Sequence, residues 1–239
     1  MPIAKRENSV LGIPVSDALM SRWVGWFAPE RQPFLVPADH PLVTDEPLPM
    51  ELRDTYSFYG IPTGISLAWL DEPQFMDLPR PDRAALVREQ FKAKRPVVPA
   101  VKGWVSSLPE VRDQADGHRF VWWPRLVQER AIAEFVTESR SASRHRDVPT
   151  ATWRTAQAVL PMARELAGTF PGASGPNCFG TVMAVAGVEG AEHEWLMREP
   201  FLEWIATHAE PGGTDADVGT VLVWMSSNVP DHAAVTLGG

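Results

Sequence analysis

The sequence predicts an α+β protein, and three observations support this fold class. Apolar residues recur at helical spacing in residues 125–140 and 150–168. Two runs near the end, VGTVLVWM (218–225) and HAAVTL (232–237), have the β-branched content of strands, and SSNVPD connects them. Residues 1–125 are dense in Pro, Trp and Phe and show little periodicity, which is typical of short elements broken by turns.

Two regions are predicted: an irregular, Pro- and Trp-rich N-terminal region, residues 1–125, and a more helical region, residues 126–239. The short strands expected in the N-terminal region are residues 58–70, 95–105 and 118–124. Besides residues 125–140, helices are expected at residues 81–94 and 150–168, and Pro161 predicts either a kink or two shorter pieces in the latter. Residues 191–210 are expected to form two short helices joined near Pro200.

The composition argues against several functional classes. A net charge of −8 is unfavourable for a nucleic-acid-binding surface. The single cysteine allows no intrachain disulfide and no cysteine-rich zinc site, and the sequence has neither a phosphate-binding loop nor a dinucleotide-binding glycine motif. No apolar leader follows the first residues, and no run approaches the roughly 18 apolar residues of a membrane span. We therefore expect a cytoplasmic protein with no cofactor, no membrane contact and no nucleic-acid partner.

The cysteine lies in GPNCFG (175–180), where Gly, Pro and Asn form a turn and Cys178 begins a segment compatible with a buried helix. A thiol is nucleophilic as the thiolate, which a helix N-terminus and a neighbouring histidine both favour. Free cysteines are also among the residue types most often buried. The stretch alone therefore leaves two interpretations open, a buried core residue and a nucleophile at a helix start.

The histidines narrow the choice of a base for this thiol. His118 and His232 each begin a predicted strand, where a ring is held rigidly at the edge of a cleft. The other four lie in loops or on polar helical faces and are expected at the surface: His40, His145, His193 and His208.

The end of the chain resembles the NlpC/P60 group of papain-like cysteine hydrolases. The similar segments are Asn177-Cys178-Phe179-Gly180, DADVGTVLVWM (215–225) and HAAVTLGG (232–239). The resemblance implies that residues 126–239 form a papain-like catalytic region, with helices packed on a small antiparallel sheet. It also implies that Cys178 is the nucleophile and His232 the general base. Phe179 departs from the family pattern, in which a small Ser is usual at this position.

These observations predict a cysteine-dependent amide hydrolase or acyl transferase that acts on a peptide or small acyl-amide through a Cys178 thioester. The oxyanion donors would be the Cys178 backbone N–H and the Asn177 side chain. If the order of the motifs is permuted, His118 is the base. Residues 1–125 would bind substrate or complete the sheet. The alternative is an inactive papain-like fold that serves as a binding module, because no residue after His232 is assignable to orient that histidine.

Overall fold

The structure, a computed structural model, describes residues 8–49, 52–53, 56, 58, 61–95, 97–114, 116–127, 129–137 and 140–238. In these residues it has nine α-helices and three two-stranded antiparallel sheets, which confirms the predicted α+β class. The chain forms two compact units. The insert unit comprises residues 16–138, and the terminal unit comprises residues 1–15 and 139–239. The division thus falls after residue 138, whereas the predicted regions divide after residue 125.

The strands are β1 Asn8–Val10, β2 Ile13–Val15, β3 Arg31–Pro37, β4 Ile65–Asp71, β5 Val218–Ser226 and β6 Val229–Leu237. The helices are α1 Asp17–Phe27, α2 Glu72–Asp77, α3 Arg80–Lys92, α4 Val101–Trp104, α5 Glu129–Thr137, α6 Thr150–Ala156, α7 Ala163–Leu166, α8 Cys178–Val185 and α9 Arg198–His208. Sequential strands pair in each sheet, β1 with β2, β3 with β4 and β5 with β6. No helix in the described part of the chain is long and apolar enough to span a membrane.

In the insert unit, α3 covers the β3–β4 pair, and one buried side chain joins the two layers. Gln90 of α3 accepts a hydrogen bond from the Leu35 N–H at 2.9 Å and donates to the Leu35 carbonyl at 3.0 Å. It also donates to the Leu86 carbonyl one turn earlier, at 3.1 Å. A strand at a sheet edge leaves backbone groups unpaired, and here the Gln90 amide pairs both groups of Leu35. The helix predicted at residues 81–94 is confirmed.

Two of the short strands predicted for the N-terminal region are wrong. Residues 118–124 form isolated bridges and backbone hydrogen bonds to residues 97, 99 and 101, and their aromatic rings fill the core of the insert unit. Within residues 95–105, the structure instead forms the one-turn helix α4. Pro99 offers no N–H for a ladder, which favours irregular pairing over a strand. The predicted strand at residues 58–70 is observed as β4, from Ile65 onward, while residues 59–60 lie outside the described residues.

In the terminal unit, β5 and β6 form a hairpin around Ser227 and Asn228. Both turn residues have positive φ, 51° and 63°, as a two-residue turn of this kind requires. The two predicted strands are therefore confirmed, and the second begins three residues earlier, at Val229. The helix predicted at residues 150–168 is divided into α6 and α7 around Pro161, as expected.

Helix α8 lies against β6, and its apolar side chains form a core with α9. The buried members of this cluster are Phe179, Val182, Met183, Ala184, Ala191, Phe201 and Ala233. The pair of helices predicted at residues 191–210 is partly correct. A 3₁₀ turn spans Ala191–His193, but Pro200 lies in the first turn of α9 rather than between two helices.

Candidate functional site: a cavity at the start of helix α8

Cys178 is the first residue of α8, as predicted from the turn that precedes it. Asn177 caps the helix with extended backbone (φ −127°, ψ 177°), and its Oδ1 accepts a hydrogen bond from the Gly180 N–H at 3.1 Å. The first N–H groups of any helix have no partner within the helix, and the Asn177 cap accepts a hydrogen bond from the Gly180 N–H. The N–H groups of Cys178 and Phe179 precede it, beside the thiol.

A second segment, residues 191–196, is held against this helix start. A Cβ at Gly180 would collide with the Ala191 carbonyl oxygen and lie 2.9 Å from that of Glu194, so only glycine allows this approach. The Asn177 side chain reaches the same segment, because its Nδ2 donates to the Leu196 carbonyl at 2.7 Å. Asn177 and Gly180 thus fix the segment that carries His193.

Cys178 and His193 line one cavity of about 400 Å³. The cavity also has Glu192 in its wall, and the Glu192 Oε1 lies 3.5 Å from the His193 Nε2. The remaining lining residues are Leu166, Thr169, Phe170, Pro171, Gly172, Pro176, Asn177 and Thr181. The His193 side chain is 77% exposed, so the expectation that it lies at the surface is correct, but it also faces this cavity.

Phe179, next to Cys178, is a buried core residue at the position where the NlpC/P60 pattern has a small Ser. Its ring is buried and stacks on Phe201 of α9, with ring centroids 4.5 Å apart and planes 26° apart. Cys178 is only half-buried and contacts the edge of the same apolar cluster. The core interpretation therefore applies fully to Phe179, while Cys178 lies between the apolar cluster and the cavity.

His232 is not among the residues that line this cavity. It is the fourth residue of β6 and pairs with Trp224 of β5, with ring centroids 5.3 Å apart. The next residue, Ala233, is buried against α8. Because successive side chains of a strand point to opposite faces, the His232 side chain lies on the hairpin face away from α8, where it is exposed.

The other predicted site residues have different surroundings. His118 does not begin a strand; it lies exposed in the turn between Asp116 and Arg119, in the insert unit, whereas Cys178 belongs to the terminal unit. The Asn177 amide makes two structural hydrogen bonds, as cap and as donor to Leu196.

Comparisons with protein-family models, curated proteins and solved structures give no match.

His193 and Glu192 line this cavity although the sequence did not predict them there. The available signal was the glycine at position 180, inside an otherwise apolar helix, since such a glycine indicates close approach of another backbone. The sequence does not say which segment approaches, because residues 191–196 carry no spacing pattern of their own.

Proposed function

We propose that this protein is a cysteine-dependent amide hydrolase or acyl transferase, with Cys178 as nucleophile and a peptide or small acyl-amide as substrate. The observation that carries the proposal is the cavity in which Cys178, at the first position of α8, lies together with His193 and Glu192. A half-buried cysteine at a helix start that lines the same cavity as a histidine is in the kind of environment that favours a nucleophilic thiolate.

The proposed reaction has two steps, formation of a thioester on Cys178 and transfer of the acyl group from it. In the first, the Cys178 Sγ adds to the substrate carbonyl carbon while its proton passes to the histidine base. The tetrahedral oxyanion is stabilised by the N–H groups of Cys178 and Phe179. Collapse breaks the C–N bond, and the protonated histidine gives its proton to the leaving amine, which leaves a Cys178 thioester. Water then releases a carboxylic acid, or a second amine or alcohol takes the acyl group, and the thiol is restored.

We assign the base to His193 in place of His232. His193 lines the cavity with Cys178 and has the Glu192 carboxylate 3.5 Å from its Nε2, a partner that orients the ring. The proposal draws on the resemblance of residues 177–180, 215–225 and 232–239 to the NlpC/P60 group. The orientation of His232 favours a base from a different segment.

The decisive experiment compares histidine variants under one assay of thioester formation and turnover. The protein is incubated with a panel of peptide p-nitroanilides and N-acyl amides, and the acyl-enzyme is located by peptide mass spectrometry. We expect Cys178→Ser to abolish turnover and His193→Ala to lower it by roughly 100-fold or more, the usual contribution of a general base. His232→Ala and His118→Ala are the matched controls and should retain activity within about twofold.

Two results would contradict the proposal. Full turnover by Cys178→Ser would show that Cys178 is not the nucleophile. Full turnover by His193→Ala, together with loss of turnover in His232→Ala, would show that His232 and not His193 is the base. Iodoacetamide labelling near pH 6 supplies a readout without a substrate, because rapid alkylation of the folded protein requires an accessible thiolate. A thiol that reacts only after denaturation would also refute a nucleophilic Cys178.

A second candidate function, an inactive fold that binds a partner, is favoured by the hairpin. Trp224, Met225 and Val229 expose large apolar side chains around its turn. Exposed aromatic and Met side chains of this kind are enriched in protein interfaces. An unreactive Cys178, combined with loss of partner capture in Trp224→Ser, would favour this alternative over catalysis.

A further inference from the structure

The insert unit contains a second cavity, of about 730 Å³, in which cationic and aromatic side chains converge. Its charged lining residues are Lys92, Lys94, Arg95, Lys102 and Arg119, and its aromatic ones are Phe91, Trp104 and Phe135. Among the described residues that line it there is no carboxylate. We propose that this cavity, the cationic cavity, binds a small anion that carries a flat ring, such as a phosphorylated or sulfonated aromatic molecule.

The distribution of lysine in the chain supports a binding role. The protein has four lysines in 239 residues and a net charge of −8, yet three of the four lysines line this one cavity. Like charges gathered in a concave site repel one another, and the cost is offset when an anion binds among them. A solvated surface would distribute these lysines among the carboxylates instead.

The arginines and lysines of the cavity differ in how they are held. Arg119 lies over the Phe91 ring, with its Cζ 3.6 Å from the centroid, and donates to the Val98 carbonyl at 2.7 Å. Arg95 is buried, 3.8 Å above the Phe58 ring, and donates to the Tyr56 carbonyl. These contacts fix both guanidinium groups before a ligand arrives, which lowers the entropy cost of binding.

Two of the three lysines supply positive charge that is not already paired. Lys92 pairs with Glu89 at 2.6 Å on the exposed surface of α3. Within the described part of the chain, Lys94 and Lys102 form no ion pair, and both side chains are exposed. They are therefore free to approach a phosphate or sulfonate.

The aromatic residues of the cavity are the reason to expect a flat ring in the ligand. Phe91 is 52% exposed, which is unusual for a phenylalanine, and Arg119 covers one face of its ring. A flat ring stacked on Phe91 or on the Arg119 guanidinium would bury this apolar surface. The volume is in the range of roughly 300–1,000 Å³ that small-molecule sites occupy. Since the cations converge in one cavity of an acidic chain instead of forming a stripe, the chemistry favours a small molecule over a nucleic acid.

The test uses calorimetric titration of the full chain with two probes that combine a flat ring and negative charge. The probes are adenosine triphosphate without magnesium and 8-anilinonaphthalene-1-sulfonate. Adenosine and inorganic tripolyphosphate separate the contributions of the ring and of the charge. We expect both probes to bind, tripolyphosphate to bind more weakly than adenosine triphosphate, and adenosine to bind weakest. Added salt should weaken the binding of adenosine triphosphate through screening.

The variants remove charge or ring without disturbing the core. Because Lys94 and Lys102 are exposed, Lys94→Gln/Lys102→Gln should fold normally and bind adenosine triphosphate about tenfold more weakly or worse, as expected for loss of charge-assisted contacts. Phe91→Leu should weaken adenosine triphosphate more than tripolyphosphate. The matched control is Arg88→Gln, which removes one positive charge from an exposed position of α3 outside the cavity and should change the affinity less than about twofold.

Three outcomes would overturn the proposal. The first is that neither ring-bearing probe binds at millimolar concentration. The second is that the double lysine variant, with unchanged circular dichroism, binds adenosine triphosphate as tightly as the unmodified protein. The third is that adenosine binds as tightly as adenosine triphosphate, which would make the positive charges irrelevant. Binding of tripolyphosphate equal to that of adenosine triphosphate would overturn the part of the proposal that concerns the ring.

Discussion

Asn177 donates a hydrogen bond through Nδ2 to the carbonyl oxygen of Leu196 at 2.7 Å, while its Oδ1 caps helix α8 by accepting from Gly180. One side chain therefore both starts the helix that carries Cys178 and holds the segment that carries His193. This relationship leads to a prediction that separates the two contributions.

Asn177→Ala removes the cap and the bond to Leu196, whereas Asn177→Ser keeps a capping oxygen but cannot reach Leu196. We expect the serine variant to lose about 1 kcal/mol of unfolding free energy for the missing bond. The alanine variant should lose about 1 kcal/mol more, for the cap. Urea unfolding of both variants measures these differences. A serine variant as stable as the unmodified protein would show that the Leu196 bond contributes nothing.

Gly180→Ala tests the close approach of residues 191–196 to α8. The added Cβ meets backbone carbonyl oxygens of Ala191 and Glu194, which cannot rotate away, so we expect a loss of about 1–3 kcal/mol in unfolding free energy. The control is Gly25→Ala in helix α1, where an added Cβ meets nothing within 4 Å. That variant should gain about 0.5–1 kcal/mol, because alanine is the better helix former. Equal effects of the two substitutions would contradict the packing of this segment.

Gln90→Met tests the amide that pairs both backbone groups of Leu35. Methionine has a similar size but makes no hydrogen bond, so the buried N–H and carbonyl of Leu35 lose their partner. Each unpaired buried group costs about 1–3 kcal/mol, and we expect a total loss of roughly 2–4 kcal/mol in chemical denaturation. Glu89→Met, at the adjacent exposed position of α3, should change stability by about 0.5 kcal/mol or less. A Gln90 variant that unfolds like the Glu89 variant would rule out a structural role for the amide.

Asp217 supplies a prediction about pH. The Thr214 hydroxyl and then its backbone N–H hydrogen-bond the carboxylate, at 2.9 and 2.8 Å, and together hold the pKa of Asp217 below its ordinary value. A carboxyl whose pKa is lowered in the folded state adds stability at pH values above its pKa in the unfolded chain, which is about 4. That stability is lost as the pH falls through the folded pKa. Thr214→Val removes the hydroxyl and should move the pKa upward, as measured by NMR titration of the Asp217 carboxyl.

One result would contradict this prediction for Asp217. If the titration midpoint in Thr214→Val equals that in the unmodified protein, the hydroxyl does not stabilise the carboxylate.

Local signals in the sequence predicted a large part of the fold. Proline at position 161 divided a helix where its ring excludes an i−4 bond, and a high content of β-branched residues marked both strands of the β5–β6 hairpin. The signals failed for residues 118–124. Their aromatic residues have high strand propensity, but their backbone partner contains Pro99, so burial rather than a ladder organises them.

The candidate site was predictable only in part, for a physical reason. The turn before Cys178 and the capping residue Asn177 are local features, and the structure has the helix start where they indicate. The position of His193 depends on which backbone packs against Gly180, and this is a tertiary contact without a local pattern. The side of the hairpin that His232 occupies depends likewise on which neighbour, Ala233, packs against α8.

The order of the two units along the chain has a consequence for synthesis. The β1–β2 hairpin belongs to the terminal unit and is tied to its later part by the hydrogen bond from the Ser143 N–H to the Leu11 carbonyl, at 2.8 Å. A ribosome synthesises this hairpin before the insert unit, yet the hairpin's partners emerge only after the whole of residues 16–138. The insert unit is therefore free to fold while the chain is still growing, and the cavity that holds Cys178 assembles only after residues 166–193 have followed it.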